Sequence, residues 1–132
     1  MSMTVTNIDV SGVQLSSCYF FDELLTFAGS GTVKAGTILA RATSTGKLIP
    51  YVKGGSSDGN GVAVAVLAEE YSSAGAGDVA VRALVTGLVR AQKLVIDADG
   101  DNSNVDHTVL DGLRDYSIVA LEVEELNIYD NQ

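Results

Sequence analysis

Three places in the chain carry residue types capable of chemistry: the single cysteine Cys18, the single histidine His107, and the acidic run Asp97-Ala98-Asp99-Gly100-Asp101-Asn102. A thiol and an imidazole form a nucleophile–base pair only within hydrogen-bond reach, and these two lie toward opposite ends of the chain. Cys18 precedes Tyr19, Phe20 and Phe21, so it reads as a small buried hydrophobe rather than a reactive thiol. A lone cysteine also excludes an intrachain disulfide. His107 falls in the first turn of an expected helix, where simple exposure is ordinary. The acidic run sets carboxylates at alternate positions, as the start of a calcium loop does. The pattern then breaks, because Asn102 stands where that loop needs glycine and Thr108 where it needs its bidentate glutamate. It reads as a solvated acidic turn. The literal Gly-x-Ser-x-Gly at residues 55–59 falls in a Gly/Ser-rich loop rather than at a strand-to-helix elbow, and no phosphate-cradling loop with its lysine occurs. The residues point to a protein that is not an enzyme and needs no metal or cofactor.

The elements around these residues are mostly strands. Leu24 to Phe27 ends at Gly29-Ser30-Gly31, and Val33 and Thr37 to Thr43 follow, with Gly36 as a turn. Lys47 to Val52 is a further strand in which Pro50 demands an edge or a strand end. Residues 54–61 form a loop by composition. Val62 to Leu67 reads as a buried strand, Ser72 to Asp78 as a second Gly/Ser/Ala loop, and Val79 to Thr86 as a strand ended by Gly87. Short strands at this spacing with glycine turns indicate a small β-barrel or sandwich-like domain. Leu94-Val95-Ile96 is strand-like. Near the C-terminus, Val109, Leu110, Leu113 and Tyr116 make one apolar stripe at helical spacing behind Asp106 as N-cap. Ile118 to Val123 is the expected final strand, with an acidic tail after it.

Composition narrows the partners. The 132 residues suit one domain, and a hydrophobic fraction of 46% suffices for a core. That core is built from Val, Ala, Leu and Ile without Trp, so it is expected to be thin and to benefit from self-association. Eight basic against seventeen acidic residues give a net charge of −9, which disfavours nucleic acid and anionic membrane surfaces alike. No apolar run is long enough to span a bilayer and no secretory leader is apparent, so the protein is expected to be made and kept in the cytoplasm of a host cell unless something other than a signal peptide releases it.

Residues 1–22 differ from the rest. They are rich in Ser, Thr and Val and show only short alternations, through Val5, Ile8, Val10, Val13 and Leu15. They read as an extended N-terminal arm that pairs with a partner, with residues 23–132 as a single β-rich domain. An ordinary edge strand is the plainer reading of the same segment.

From about Leu24 to Val89 the chain resembles the lambda-type head decoration proteins of tailed bacteriophages. The resemblance is carried by Gly36-Thr37-Ile38-Leu39, Thr45-Gly46-Lys47 leading to Pro50-Tyr51, Ser57-Asp58-Gly59, Val62 to Leu67 with Glu69 behind it, Gly77-Asp78-Val79-Ala80-Val81 and Thr86-Gly87, in that order. The helix-then-strand run from Leu110 to Leu121 is similar too. The stretch Arg90 to Asp106 departs from the family, lacking its short helical insert with a Trp-Pro turn. The resemblance implies a β-clip-like domain that trimerises, binds the major capsid protein on the outer surface of the expanded head at three-fold sites, and stabilises the shell of the virion. The capsid-binding residues are then expected in the arm, at Val5, Ile8, Val10, Val13 and Leu15. Two other readings are a tail or baseplate adaptor, and a calcium- or small-ligand-binding β module centred on Asp97, Asp99 and Asp101.

Overall fold

A computed structural model describes residues 12–122. The elements are β1 (Gln14–Phe27), β2 (Gly31–Val33), β3 (Ile38–Arg41), β4 (Leu48–Pro50), β5 (Ala65–Leu67), β6 (Tyr71–Ser73), β7 (Gly77–Arg90), α1 (His107–Arg114) and β8 (Ile118–Leu121). A 3₁₀ turn at Ala91–Lys93 follows β7. The main sheet runs β1-β4-β3-β5-β7-β8, and an additional β1–β7 pairing turns the first five strands of that order into a ring. That closing seam is the long one: β1 and β7 pair antiparallel from Gln14↔Val89 to Phe27↔Gly77. At the other side of the ring β1 meets β4 through the single register pair Leu25↔Leu48. The architecture is mostly β, barrel-like and partly ring-closed, with one short helix near the C-terminal end.

Strand alternation divides the buried side chains into two layers. Leu25, Phe27, Leu39, Leu48, Ala65, Leu67, Val81 and Ala83 pack together inside the ring. Ile38, Ala40, Val66 and Leu84 point the other way, into a second cluster covered by Val13, Leu94, Ile96, Val109, Leu113 and Ile118. Both faces of β3 and β5 are therefore buried, which is why Ile38-Leu39-Ala40 and Ala65-Val66-Leu67 read as unbroken apolar runs. Leu25, Ile38, Leu39 and Leu113 are fully buried, and each contributes roughly 1.5–3 kcal/mol by leaving water.

Four expectations change. Gly87 does not end the strand; β7 continues to Arg90. The partner strand bulges there, with register shifts between Gln14 and Phe20 and Ser17 at φ 55°. A Cβ on Gly87 would lie 2.7 Å from Cys18 Cα, and its φ is 136°, so only glycine lets the ribbon pass the bulge. The Ser72–Asp78 segment is not all loop: β6 pairs with β2, and Thr32 and Ser72 share a 2.8 Å side-chain hydrogen bond. The apolar stripe of α1 is buried at Val109 and Leu113, but Tyr116 is 47% exposed. The helix stops at Arg114 and Ser117 turns the chain at φ 68°, so Tyr116 leaves the helical face. Leu94-Val95-Ile96 is buried at Leu94 and Ile96 but makes only single bridges, Thr37↔Val95 and Ile96↔Asp101.

Candidate functional site

Cys18, His107 and the acidic run each sit in an ordinary structural setting. Cys18 is only half-buried, and its Sγ lies 3.4 Å from both the Ser16 and Leu88 carbonyls. Burial pushes its pKa up, the wrong direction for a nucleophile at neutral pH. His107 is exposed on the first turn of α1, while Asp106 caps the helix by accepting from the Val109 amide at 3.3 Å. In the acidic loop two of the carboxylates, those of Asp99 and Asp101, are engaged locally. Asp99 accepts from Asn104 Nδ2 at 2.9 Å, and Asp101 accepts from the Ser103 amide at 3.0 Å and hydroxyl at 2.7 Å. The Ser103 hydrogen bonds hold the Asp101 pKa below its ordinary value. Among the described residues no group of three His, Cys, Asp or Glu side chains is placed to hold a metal.

What the fold does assemble is the root of the N-terminal segment. Val13 is buried in the outer core layer, and its carbonyl accepts from the Arg90 amide at 2.8 Å. The Arg90 side chain is 2% exposed. Its Nη1 donates to the Gly12 carbonyl at 2.6 Å and to the Gln14 carbonyl at 3.2 Å. On the other edge of β7, Leu121 stands opposite Arg90. Gln14 at the start of β1 and Leu121 at the end of β8 thus lie at the same end of β7, on strands that flank it. A crevice of about 430 Å³ opens beside the root, lined in part by Val13, Gln14, Phe20, Glu69, Arg82 and Lys93. Arg82 stacks on Phe20 at 4.2 Å, and Lys93 and Glu69 bring one charge of each sign to the same crevice.

Above the root, β1 changes character. Its residues up to Glu23 pair with β7 on one edge and, among the described residues, with no strand on the other. Tyr19 and Phe21 are 68% and 62% exposed on this stretch. Aromatics this open beside an unpaired strand edge mark a surface suited to association. Of the residues expected to bind a partner, Val5, Ile8 and Val10 lie outside the described residues, Val13 is buried, and Leu15 is half-buried in β1. The expected division after residue 22 falls inside β1, which is continuous from Gln14 to Phe27. Sequence reasoning missed Arg90, which carried no signal beyond being a basic residue near the end of an apolar strand.

The family model for the bacteriophage lambda head decoration protein D matches residues 5–118. The chain belongs to that family. No curated protein matches it significantly. The match starts ahead of the root, takes in the whole ring and α1, and stops as β8 begins. As a lambda-type head decoration protein, the chain is a structural component of the phage virion that serves the capsid. This family is not a class of enzymes. The family motif glycine at position 36 acquires a physical reason: a Cβ there would lie 2.1 Å from the Lys93 carbonyl oxygen, at φ +89°.

Proposed function

We propose that the protein acts as a homotrimer that binds the major capsid protein on the outer surface of the expanded head at three-fold sites and stabilises the shell against the pressure of packaged DNA. The observation that carries this reading is the family match over residues 5–118. It is supported by the thin two-layer core, the open edge of β1 and the exposed Tyr19 and Phe21. The contact with the capsid is made by the N-terminal segment ahead of Gly12, through strand pairing and the apolar side chains of Val5, Ile8 and Val10. Val13 and Leu15 hold the base of that segment rather than its contact face. An arm that orders on binding loses roughly 1–2 kcal/mol of backbone entropy per residue, so one arm alone grips weakly. Three arms on one trimer act at high effective concentration, and together they resist removal.

Deleting residues 2–11 tests the reading without cutting into β1. The truncated protein should remain a folded trimer by sedimentation, with a Tm within a few degrees of the parent, and should wash off expanded heads that retain the full chain. Equal retention of both proteins removes the arm from the contact. A hexameric or dodecameric mass for the parent would favour a ring-forming adaptor instead.

A further inference from the structure

The arm can bridge two bodies only if its base is fixed to one of them. We infer that Arg90 is the positioning residue of capsid attachment: its buried guanidinium clamps Gly12 to Gln14 and sets where and in which direction the arm leaves the barrel. The inference rests on the proposed role of the arm.

The geometry is specific. Arg90 ends β7 and is 2% exposed, although arginine is almost never fully buried without polar partners. Its partners include two carbonyls of the arm's own base, Gly12 at 2.6 Å and Gln14 at 3.2 Å from Nη1, and its amide takes the carbonyl between them, on Val13, at 2.8 Å. Three successive residues are thus held by one side chain and its backbone. Hydrogen bonds from a charged donor are roughly twice as strong as neutral ones, and here they are shielded from water. Both bonds come from Nη1, which the planar guanidinium holds in one orientation, whereas the ammonium of a lysine rotates freely on a flexible stem. The clamp adds polar fixation to the apolar anchorage that the buried Val13 gives the same base. Register shifts between Gln14 and Phe20 interrupt the β1–β7 ladder just above it, so the ladder alone would let the base slide. With the base loosened, each freed residue must be ordered again on every binding event, and the weakening multiplies over three arms.

The experiment is a double-mutant cycle on retention by expanded heads, using the full chain, Arg90→Lys, the deletion of residues 2–11, and both together. Arg90→Lys should bind at least about tenfold more weakly in the full chain, a change of about 1.4 kcal/mol, and should change nothing further once the arm is gone. Amide exchange should quicken at residues 12–16 and stay slow at Ile38 and Leu84. A merely structural role predicts the same fold-loss with and without the arm, and that result overturns the inference. Arg90→Lys binding as tightly as the parent, while the deletion weakens binding, overturns it and leaves the arm's role standing. A deletion that binds like the parent overturns the arm's role itself. A measurement on the unsubstituted protein guards against a variant that fails to fold: the Arg90 guanidinium protons should exchange slowly with solvent. Exchange as fast as that of a surface arginine means that no clamp exists, and ends the proposal.

Discussion

The two halves of β1 are made of similar residues and do opposite work. From Leu25 to Phe27 the strand lies in the closed ring, paired on both edges around Leu25, with Leu25 and Phe27 in the inner core. From Gln14 to Glu23 it is a bulged ribbon with one open edge and two exposed aromatics. Leu25 and Phe21 sit an even number of residues apart and so face the same side of the strand, yet one is fully buried and the other 62% exposed. Hydrophobicity therefore does not decide burial here. The ring does, and it closes over only the C-terminal half. The difference teaches that an apolar residue of this strand is buried only where the ring covers it, which leaves Tyr19 and Phe21 on the surface.

Four measurements can break or sharpen this contrast. The largest effect is expected for Leu25→Ala, which opens a cavity in the ring and should cost roughly 2–5 kcal/mol in denaturant unfolding. A loss under about 1 kcal/mol would mean that the ring interior is not the core. Gly87→Ala should come next, at roughly 1–3 kcal/mol, because its methyl meets Cys18 Cα at 2.7 Å and its φ is unfavourable for any other residue. A neutral result would show that the bulge can relax away. The double change Tyr19→Ser with Phe21→Ser should alter unfolding at low protein concentration by no more than about 0.5 kcal/mol, while shifting sedimentation toward smaller species. A destabilisation rivalling that of Leu25→Ala would place both rings in a core after all.

The smallest effect concerns pH. Asp78 accepts from Lys47 and Thr26 at the closed end of the ribbon, and these bonds hold its pKa below the ordinary value. Lys47 and Thr26 bind the charged form, so the contribution is complete above the unfolded value near 3.9. It is lost as pH falls through the lower folded value. Asp58 and Asp106 are lowered in the same sense, by Ser44 and by Lys53. Tm should be flat from pH 7 to about 5 and decline below about 4. Exchange near Asp78 should quicken there before exchange at the Arg90 clamp does, since the acceptors of the clamp are backbone carbonyls and not carboxylates. Simultaneous loosening of both ends would contradict the separate anchoring of the two halves.

Much of this was legible in the residues. The apolar runs at Ile38 and Ala65, the N-cap Asp106 and the buried Leu113 follow from local pattern, because each depends on near neighbours. The β2–β6 ribbon was not legible: Tyr71-Ser72-Ser73 has no apolar alternation, and its pairing with Gly31 to Val33 is set by how the chain returns. Tyr116 misled because periodicity extends past the residue where the helix stops. The continuity of β1 through residue 22 was hidden as well, since its bulge and exposed aromatics break the period that marks a strand. Arg90 was invisible for a deeper reason. A buried charge is stabilised by carbonyls that belong to a distant segment, and no local pattern announces them.

The closing seam also has a consequence in time. The ring is sealed by pairing β1 with β7, so Leu25 must wait for Val79 and Gln14 for Val89 before either half of the seam exists. A nascent chain cannot close its barrel until residues through Arg90 have cleared the ribosome. Pairings this distant in sequence favour folding in milliseconds to seconds rather than microseconds. Until then both β1 edges are open, one destined for β7 and the other covered by β4 only at Leu25, and two unfinished chains can pair along them wrongly. The yield of usable protein during a burst of synthesis should therefore be governed by how fast that seam zips, and should fall with rising chain concentration even when the finished fold is stable.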